Sequence, residues 1–258
     1  MKWNPKGLLW PCICTMVFAT AVLAKPAAAQ DGNIRSVTFY TVKPERVGDF
    51  EAEIKAYDAL LLKAGSTHYG STWSSLTGAH EFAHVIYYSK WSDVDSTAAS
   101  DMKTTDQAAD LARMSARIND CTEHWRRIVE VVQPEYNIDS GNIPKMIRVL
   151  QTQVRADKYH DYLDLMKHEI FPAVQKAGTK DYSVAEGRLG ESNMEITSVT
   201  GFNTWADLDA GIGAQKGLSK EDYQALLDKV RSLTVESEYD VYRFEPDLSY
   251  LPPPPAAK

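Results

Sequence analysis

The chain has 258 residues, with 28 lysines and arginines against 35 aspartates and glutamates, a net charge of −7 and three cysteines. That sign excludes the usual partners of basic proteins, because nucleic acid and anionic membrane surfaces attract positive charge. The length suffices to bury a sizeable core without disulfides or a structural metal.

The chain opens with Lys2 and Lys6, an apolar run from Leu8 to Leu23, and Ala27-Ala28-Ala29. This is the pattern of a secretory signal peptide, residues 1–29, cleaved after Ala29. Pro11 and the small-residue site weigh against a retained anchor, so no stable membrane insertion is expected after cleavage. The expected location is periplasmic or secreted. Loss of Lys2, Lys6 and Lys25, with no acidic residue, takes the net charge from −7 to −10. Cys12 and Cys14 leave as well, and a lone Cys121 cannot make an internal disulfide. It is expected to be buried and inert.

Ile34–Val42, rich in β-branched and aromatic residues, predicts a first strand ended by Pro44. Val47, Phe50, Ile54, Tyr57 and Leu61 recur at helical spacing, with Gly65 placed as a C-cap. Tyr69–Leu76 and Glu81–Lys90 predict two strands joined at Thr77-Gly78. Thr104, with Gln107 three residues on, starts a helix carrying Leu111, Met114 and Ile118. His124–Val132 predicts a fourth strand closed by Pro134.

The same order then recurs. Met146–Val154 predicts a strand, and Tyr159, Tyr162, Met166 and Ile170 a helix. Tyr182–Leu189 and Glu195–Phe202 predict a strand pair. Ser219 with Asp222 caps a further helix, and Tyr239–Phe244 is the last strand. Short matches support a duplication. Trp91–Asp95 (WSDVD) answers Trp205–Asp209 (WADLD), Lys63-Ala64-Gly65 answers Lys176-Ala177-Gly178, and Val42–Asp49 answers Val154–Asp161.

The predicted fold class is therefore α+β, with tandem ferredoxin-like β-α-β-β-α-β repeats forming a single-chain α+β barrel. Residues 30–140 are copy 1, 141–248 copy 2, and 249–258 a Pro-rich tail expected to be extended. Asp139–Asn142 is the expected linker. Each sheet would leave one face bare, and two bare faces pressed together close an eight-stranded barrel with helices outside.

At this point the pattern resembles the dimeric α+β barrel superfamily, which includes NIPSNAP-like proteins, antibiotic-biosynthesis monooxygenases and stress-responsive barrel proteins. The resemblance rests on Val37–Val42 with Lys43-Pro44 and Phe50, and on Tyr87–Asp95 with Trp91. It covers Ile34–Asp247, twice. It implies the barrel fold, and a superfamily of monooxygenases, isomerases, haem enzymes and non-catalytic binders from which the fold alone does not choose.

Residues shared by both copies read as fold residues. Trp91 and Trp205 are expected to pack under the following helix, and Asp93 and Asp207 to stabilise its start. Unlike pairs are more suggestive. His80 aligns with Met194, His84 with Ser198, and Trp73 with Glu186. His80, Phe82, His84, Ile86 and Tyr88 alternate onto one strand face, which is expected to look into the barrel. His80, His84, Trp73 and Tyr88 are thus the candidate catalytic residues. Plain core or rim histidines with satisfied hydrogen bonds remain the alternative.

No metal is expected. His80 and His84, four residues apart on a strand, stand roughly 13 Å apart, whereas two metal–nitrogen bonds of ~2 Å must meet at one ion. His160 and His168 are about 12 Å apart along a helix. No cofactor is expected either, although one histidine could hold a haem iron without the absent CxxCH motif. Residues 211–217 have glycines but neither dinucleotide nor phosphate-loop spacing. No G-x-S-x-G elbow is present.

Three functional readings follow, and they leave open whether the chain is an enzyme. The first is an exported small-molecule-binding or accessory barrel protein, monomer or homodimer, with a small organic ligand and no nucleic-acid partner. The second is a cofactor-independent monooxygenase-like enzyme acting on a small aromatic or enone-like substrate. The third is a structural protein with a filled barrel.

Overall fold

The computed structural model describes residues 33–190 and 194–253. The expected signal peptide and the last five residues of the tail lie outside them. Among the described residues no helix is long and apolar enough to cross a membrane.

The strands and helices follow the predicted order. β1 is Ile34–Val42, α1 Val47–Ala64, β2 Gly70–Ser75, β3 Glu81–Tyr88, α2 Trp91–Val94, α3 Thr105–Cys121 and β4 Thr122–Val132. After a connection come β5 Met146–Val154, α4 Tyr159–Leu165 and α5 Phe171–Lys176, then β6 Tyr182–Leu189 and β7 Glu195–Phe202. The short α6 Ala214–Gly217, α7 Lys220–Leu233 and β8 Thr234–Phe244 complete the chain. One π turn, Met166–Ile170, separates α4 from α5.

Local chemistry sets the boundaries. At the end of α1, Gly65 takes φ 69°, a left-handed conformation that costs glycine no side-chain clash, and its N–H returns to the last turn. The Thr104 hydroxyl accepts the Gln107 N–H at 3.2 Å, and Ser219 accepts that of Asp222 at 3.1 Å, so both expected N-caps are formed.

The eight strands close into one antiparallel barrel in the order β1-β3-β2-β8-β5-β7-β6-β4. Two seams are short. β2 meets β8 only from Trp73↔Phe244 to Ser75↔Tyr242, and β4 meets β6 only from Val129↔Leu189 to Val132↔Ala185.

Each strand presents one face to the helices and one to the lumen. Outside, Phe82 packs with Val42, Phe50, Ile54 and Ile118, its ring centroid 4.9 Å from that of Phe50. On the other side of the barrel, Val154, Tyr162, Met166, Val184 and Ile196 form the corresponding outer cluster. Inside, Val37, Phe39, Trp73, Ala83, Ile128 and Tyr242 make the lumen cluster.

Two expectations need correction. First, the face of β3 that looks inward carries Ala83, Val85 and Tyr87, not His80, Phe82, His84, Ile86 and Tyr88. The small residues Ala83 and Val85 leave room in the lumen, while the larger Phe82 fills the space under α1. Second, Trp91 and Trp205 are 46% and 51% exposed. The elements they begin are four residues long, too short to cover an indole. Asp207 does act at its turn, accepting the Asn203 and Thr204 N–H groups at 2.9 Å each. The segment after β8 begins as a docked strap. Leu248 and Tyr250 are buried, Gly70 N–H donates to the Tyr250 carbonyl at 2.7 Å, and the Thr72 N–H donates to Ser249 Oγ at 2.8 Å.

Candidate functional site in the barrel lumen

The lumen holds a cavity of about 770 Å³. Its walls come from the inward positions of all eight strands, among them Val37, Phe39, Trp73, Val85, Ile128, Val149 and Tyr242. Residues from 137 to 144, between β4 and β5, and Leu251 and Pro252, beyond β8, line it too. These segments all leave the same end of the barrel and line the cavity there.

A polar group interrupts the apolar wall on the β1–β4 side. Arg35 and Glu130 are cross-strand partners, 4% and 1% exposed, joined by an Arg35 Nε–Glu130 Oε2 bond of 2.8 Å. Arg35 Nη1 lies 3.4 Å from Ser183 Oγ, and Tyr87 is its partner on β3. Burial disfavours the guanidinium charge, but Glu130 and Tyr87 more than offset this and raise its pKa above the ordinary arginine value. Glu130 Oε1 and Thr197 Oγ1 are buried without a hydrogen-bond partner, and both residues line the cavity. Buried polar atoms are normally satisfied, so two orphans at one cavity mark it as more than a packing defect.

Two further polar fixtures are already committed. Trp73 Nε1 donates to Ser71 Oγ at 3.0 Å, and the Tyr242 hydroxyl donates to Glu81 Oε1 at 2.6 Å. Burial, then the Glu81 charge, raises the Tyr242 pKa, so it stays a neutral phenol.

The four expected site residues do not come together. Trp73 lines the lumen. His80 is exposed before β3. Tyr88 packs outside the lumen with Ile34 and Val129. His84 is on the helix face of β3, its Nδ1 2.9 Å from Thr72 Oγ1. Its ring lies against Gly70, where a β-carbon would fall 2.5 Å from Nε2, so glycine there makes the space.

Sequence reasoning missed Arg35, Glu130, Tyr87 and Ser183. The signal was present. Arg35 is the one charge in β1 and Glu130 interrupts the apolar run from Ile128 to Val132, and the pair in the matching register of β5 and β8 is Ile147↔Tyr242.

Burial lowers the His84 pKa from 6.5 to about 4. Below pH 6.5 the unfolded chain takes up the proton and the folded chain does not, so stability falls until the pH reaches about 4. His84→Gln removes this dependence. Its melting temperature relative to wild type is expected to rise as the pH is lowered from 7 to 4, by the equivalent of about 3 kcal/mol. A constant difference across that range would show that His84 titrates normally.

Other reactive groups are subdued. Cys121 is buried, and burial raises its thiol pKa, which disfavours the reactive thiolate. Among the described residues no three His, Cys, Asp or Glu side chains are grouped to hold a metal ion. No histidine is among the described lining residues, so the lumen offers haem iron no imidazole.

No family model matches the chain, and no curated protein does. Solved structures do resemble it. A candidate monooxygenase of Lactobacillus acidophilus NCFM superposes with TM-score 0.56 at 7% identity, covering 86% of this chain and 97% of that one. A candidate monooxygenase of Fusobacterium nucleatum gives 0.58 at 11%, covering 84% and 94%. An anthrone oxidase-like protein gives 0.57 at 15%, covering 85% and 94%. At such identities the likeness establishes the α+β barrel fold alone.

Proposed function

We propose that the barrel lumen binds a small, largely apolar organic molecule whose polar end lies beside Arg35 and Glu130. The observation that carries this reading is the cavity itself. At about 770 Å³ it falls within the range typical of ligand sites, about 300–1,000 Å³, and it combines apolar walls with a few placed polar groups. A filled structural barrel would not leave that space.

Val149→Trp puts an indole into the lumen and tests the reading. Wild-type protein is expected to gain thermal stability with at least one member of a panel of uncharged aromatic and quinone-type compounds. The variant should lose that gain while melting close to wild type. An equal shift in both proteins would place the ligand elsewhere.

A second reading is oxidation of such a ligand, as in a cofactor-independent monooxygenase. It is favoured by the near full-length likeness to the two candidate monooxygenases and the anthrone oxidase-like protein. Trp73 and Tyr87 would then orient an aromatic substrate, and the unpartnered oxygen of Glu130 could accept its proton. Oxygen uptake with anthrone as substrate separates turnover from binding.

The tandem origin and the export of the chain belong to the same proposal. The order β4-β1-β3-β2 recurs as β8-β5-β7-β6, which supports two ferredoxin-like units. Export is supported by the leader pattern of residues 1–29. An intact-mass measurement on cell-envelope protein is expected to find a chain beginning at Gln30, and one beginning at Met1 would refute cleavage.

A further inference from the structure

We infer that Ser96, His68 and Asp101 form a second site, outside the barrel, where Ser96 acts as a nucleophile toward small activated acyl esters. His68 lies between α1 and β2, while Ser96 and Asp101 lie between α2 and α3. His68 Nδ1 is 2.7 Å from Asp101 Oδ2, and His68 Nε2 is 3.1 Å from Ser96 Oγ. Nucleophile, base and orienting carboxylate within hydrogen-bond reach are the geometric signature of an activated serine, whatever their order in the chain.

The protonation pattern is fixed by neighbours. Burial pushes the Asp101 carboxyl up, but hydrogen bonds from Ser66 and His68 hold it below the ordinary value. Asp101 Oδ2 accepts from Ser66 Oγ at 2.5 Å and from Thr67 N–H at 3.3 Å. An ionised carboxylate only accepts, so Nδ1 is the nitrogen that donates to Asp101, and in the neutral ring Nε2 faces Ser96 as the acceptor. The Ser96 hydroxyl also reaches the Asp93 carbonyl at 2.6 Å, so one torsion moves its proton between that oxygen and Nε2.

The base and its carboxylate are sheltered, with side chains 11% and 24% exposed. Tyr69, Tyr250, Ala98 and Met102 share an apolar cluster next to them, and the Tyr250 hydroxyl donates to the Ser66 carbonyl at 2.8 Å. A mere clasp between two loops would be complete with Asp101, which already holds Ser66, Thr67 and His68.

In the reaction, Ser96 Oγ bonds to the acyl carbon as its proton passes to His68 Nε2. The ester C–O bond breaks, and the leaving oxygen takes that proton. Water then attacks the acyl-serine, giving its proton to Nε2, and Ser96 recovers a proton as the acid leaves. No oxidant or reductant is required.

The test treats the full chain with a fluorophosphonate probe and, separately, with p-nitrophenyl acetate. One phosphonyl group at Ser96, located by peptide mass spectrometry, is expected, together with p-nitrophenol release that Ser96→Ala abolishes. His68→Gln keeps a donor for Asp101 but no base, and should slow labelling by about 10²-fold. Asp101→Asn should slow it too, by freeing the ring. An unlabelled Ser96 in the wild type, or an unchanged rate in both variants, overturns the inference.

Discussion

Arg35→Ala is expected to destabilise the protein by about 3–5 kcal/mol, the usual cost of leaving one member of a buried ion pair behind. The stranded group would be Glu130, which is 1% exposed and already has one oxygen without a partner. Glu130→Ala should cost a similar amount for the converse reason. The double replacement Arg35→Leu/Glu130→Leu should recover most of the loss, because two apolar side chains of similar size need no compensating charge. Denaturant melts of wild type, Arg35→Leu, Glu130→Leu and the double replacement form a double-mutant cycle. If the double replacement is as unstable as the sum of the single ones, the two side chains do not act as a pair. If it is as stable as wild type but no longer shows a ligand-induced shift, the pair serves recognition more than folding.

Residues 30–140 expressed alone are expected to aggregate, associate or remain unfolded. In the whole protein, Val37, Phe39, Trp73 and Ile128 are 2–7% exposed because strands from both parts of the chain enclose the lumen. Cutting at Gly141 uncovers them, and apolar burial is worth roughly 25 cal/mol per Å². The cut also leaves β2 without β8 and β4 without β6, exposing two strand edges. Sedimentation and thermal unfolding of the fragment provide the check. A monomer that unfolds cooperatively near the wild-type temperature would show that each unit carries its own sufficient core.

The sequence made the architecture readable because periodicity and caps are local. The limits of β1, β5, β6 and β7 match the expected strands, and the Thr104 and Ser219 caps form as read. The start of β8 was obscured. Its first residues, Thr234 to Glu238, are polar or acidic except for the exposed Val235, and they pair with β5 as a ribbon with little apolar signal. Alternation along Glu81–Tyr88 separated two faces correctly, but which face looks inward depends on what packs across from it. The volume of Phe50 under α1 settled that in favour of Phe82 outside. Arg35 and Glu130 were legible as odd charges in their strands. Their direct pairing was not, since it depends on the β1–β4 register between residues far apart in the chain.

The seam between β2 and β8 also governs how the protein comes into being. Ser74 Oγ donates to Glu245 Oε1 across a sequence separation of 171, and the Thr72 N–H reaches Ser249 across 177. Contacts of such range close large loops and slow folding relative to local pairing. During synthesis the early strands emerge long before their closing partner, with the future lumen face open to water and to neighbouring chains. The cavity therefore comes into existence only with the last strand, and a nascent chain stalled before Thr234 would have helices and hairpins but no place to hold a ligand.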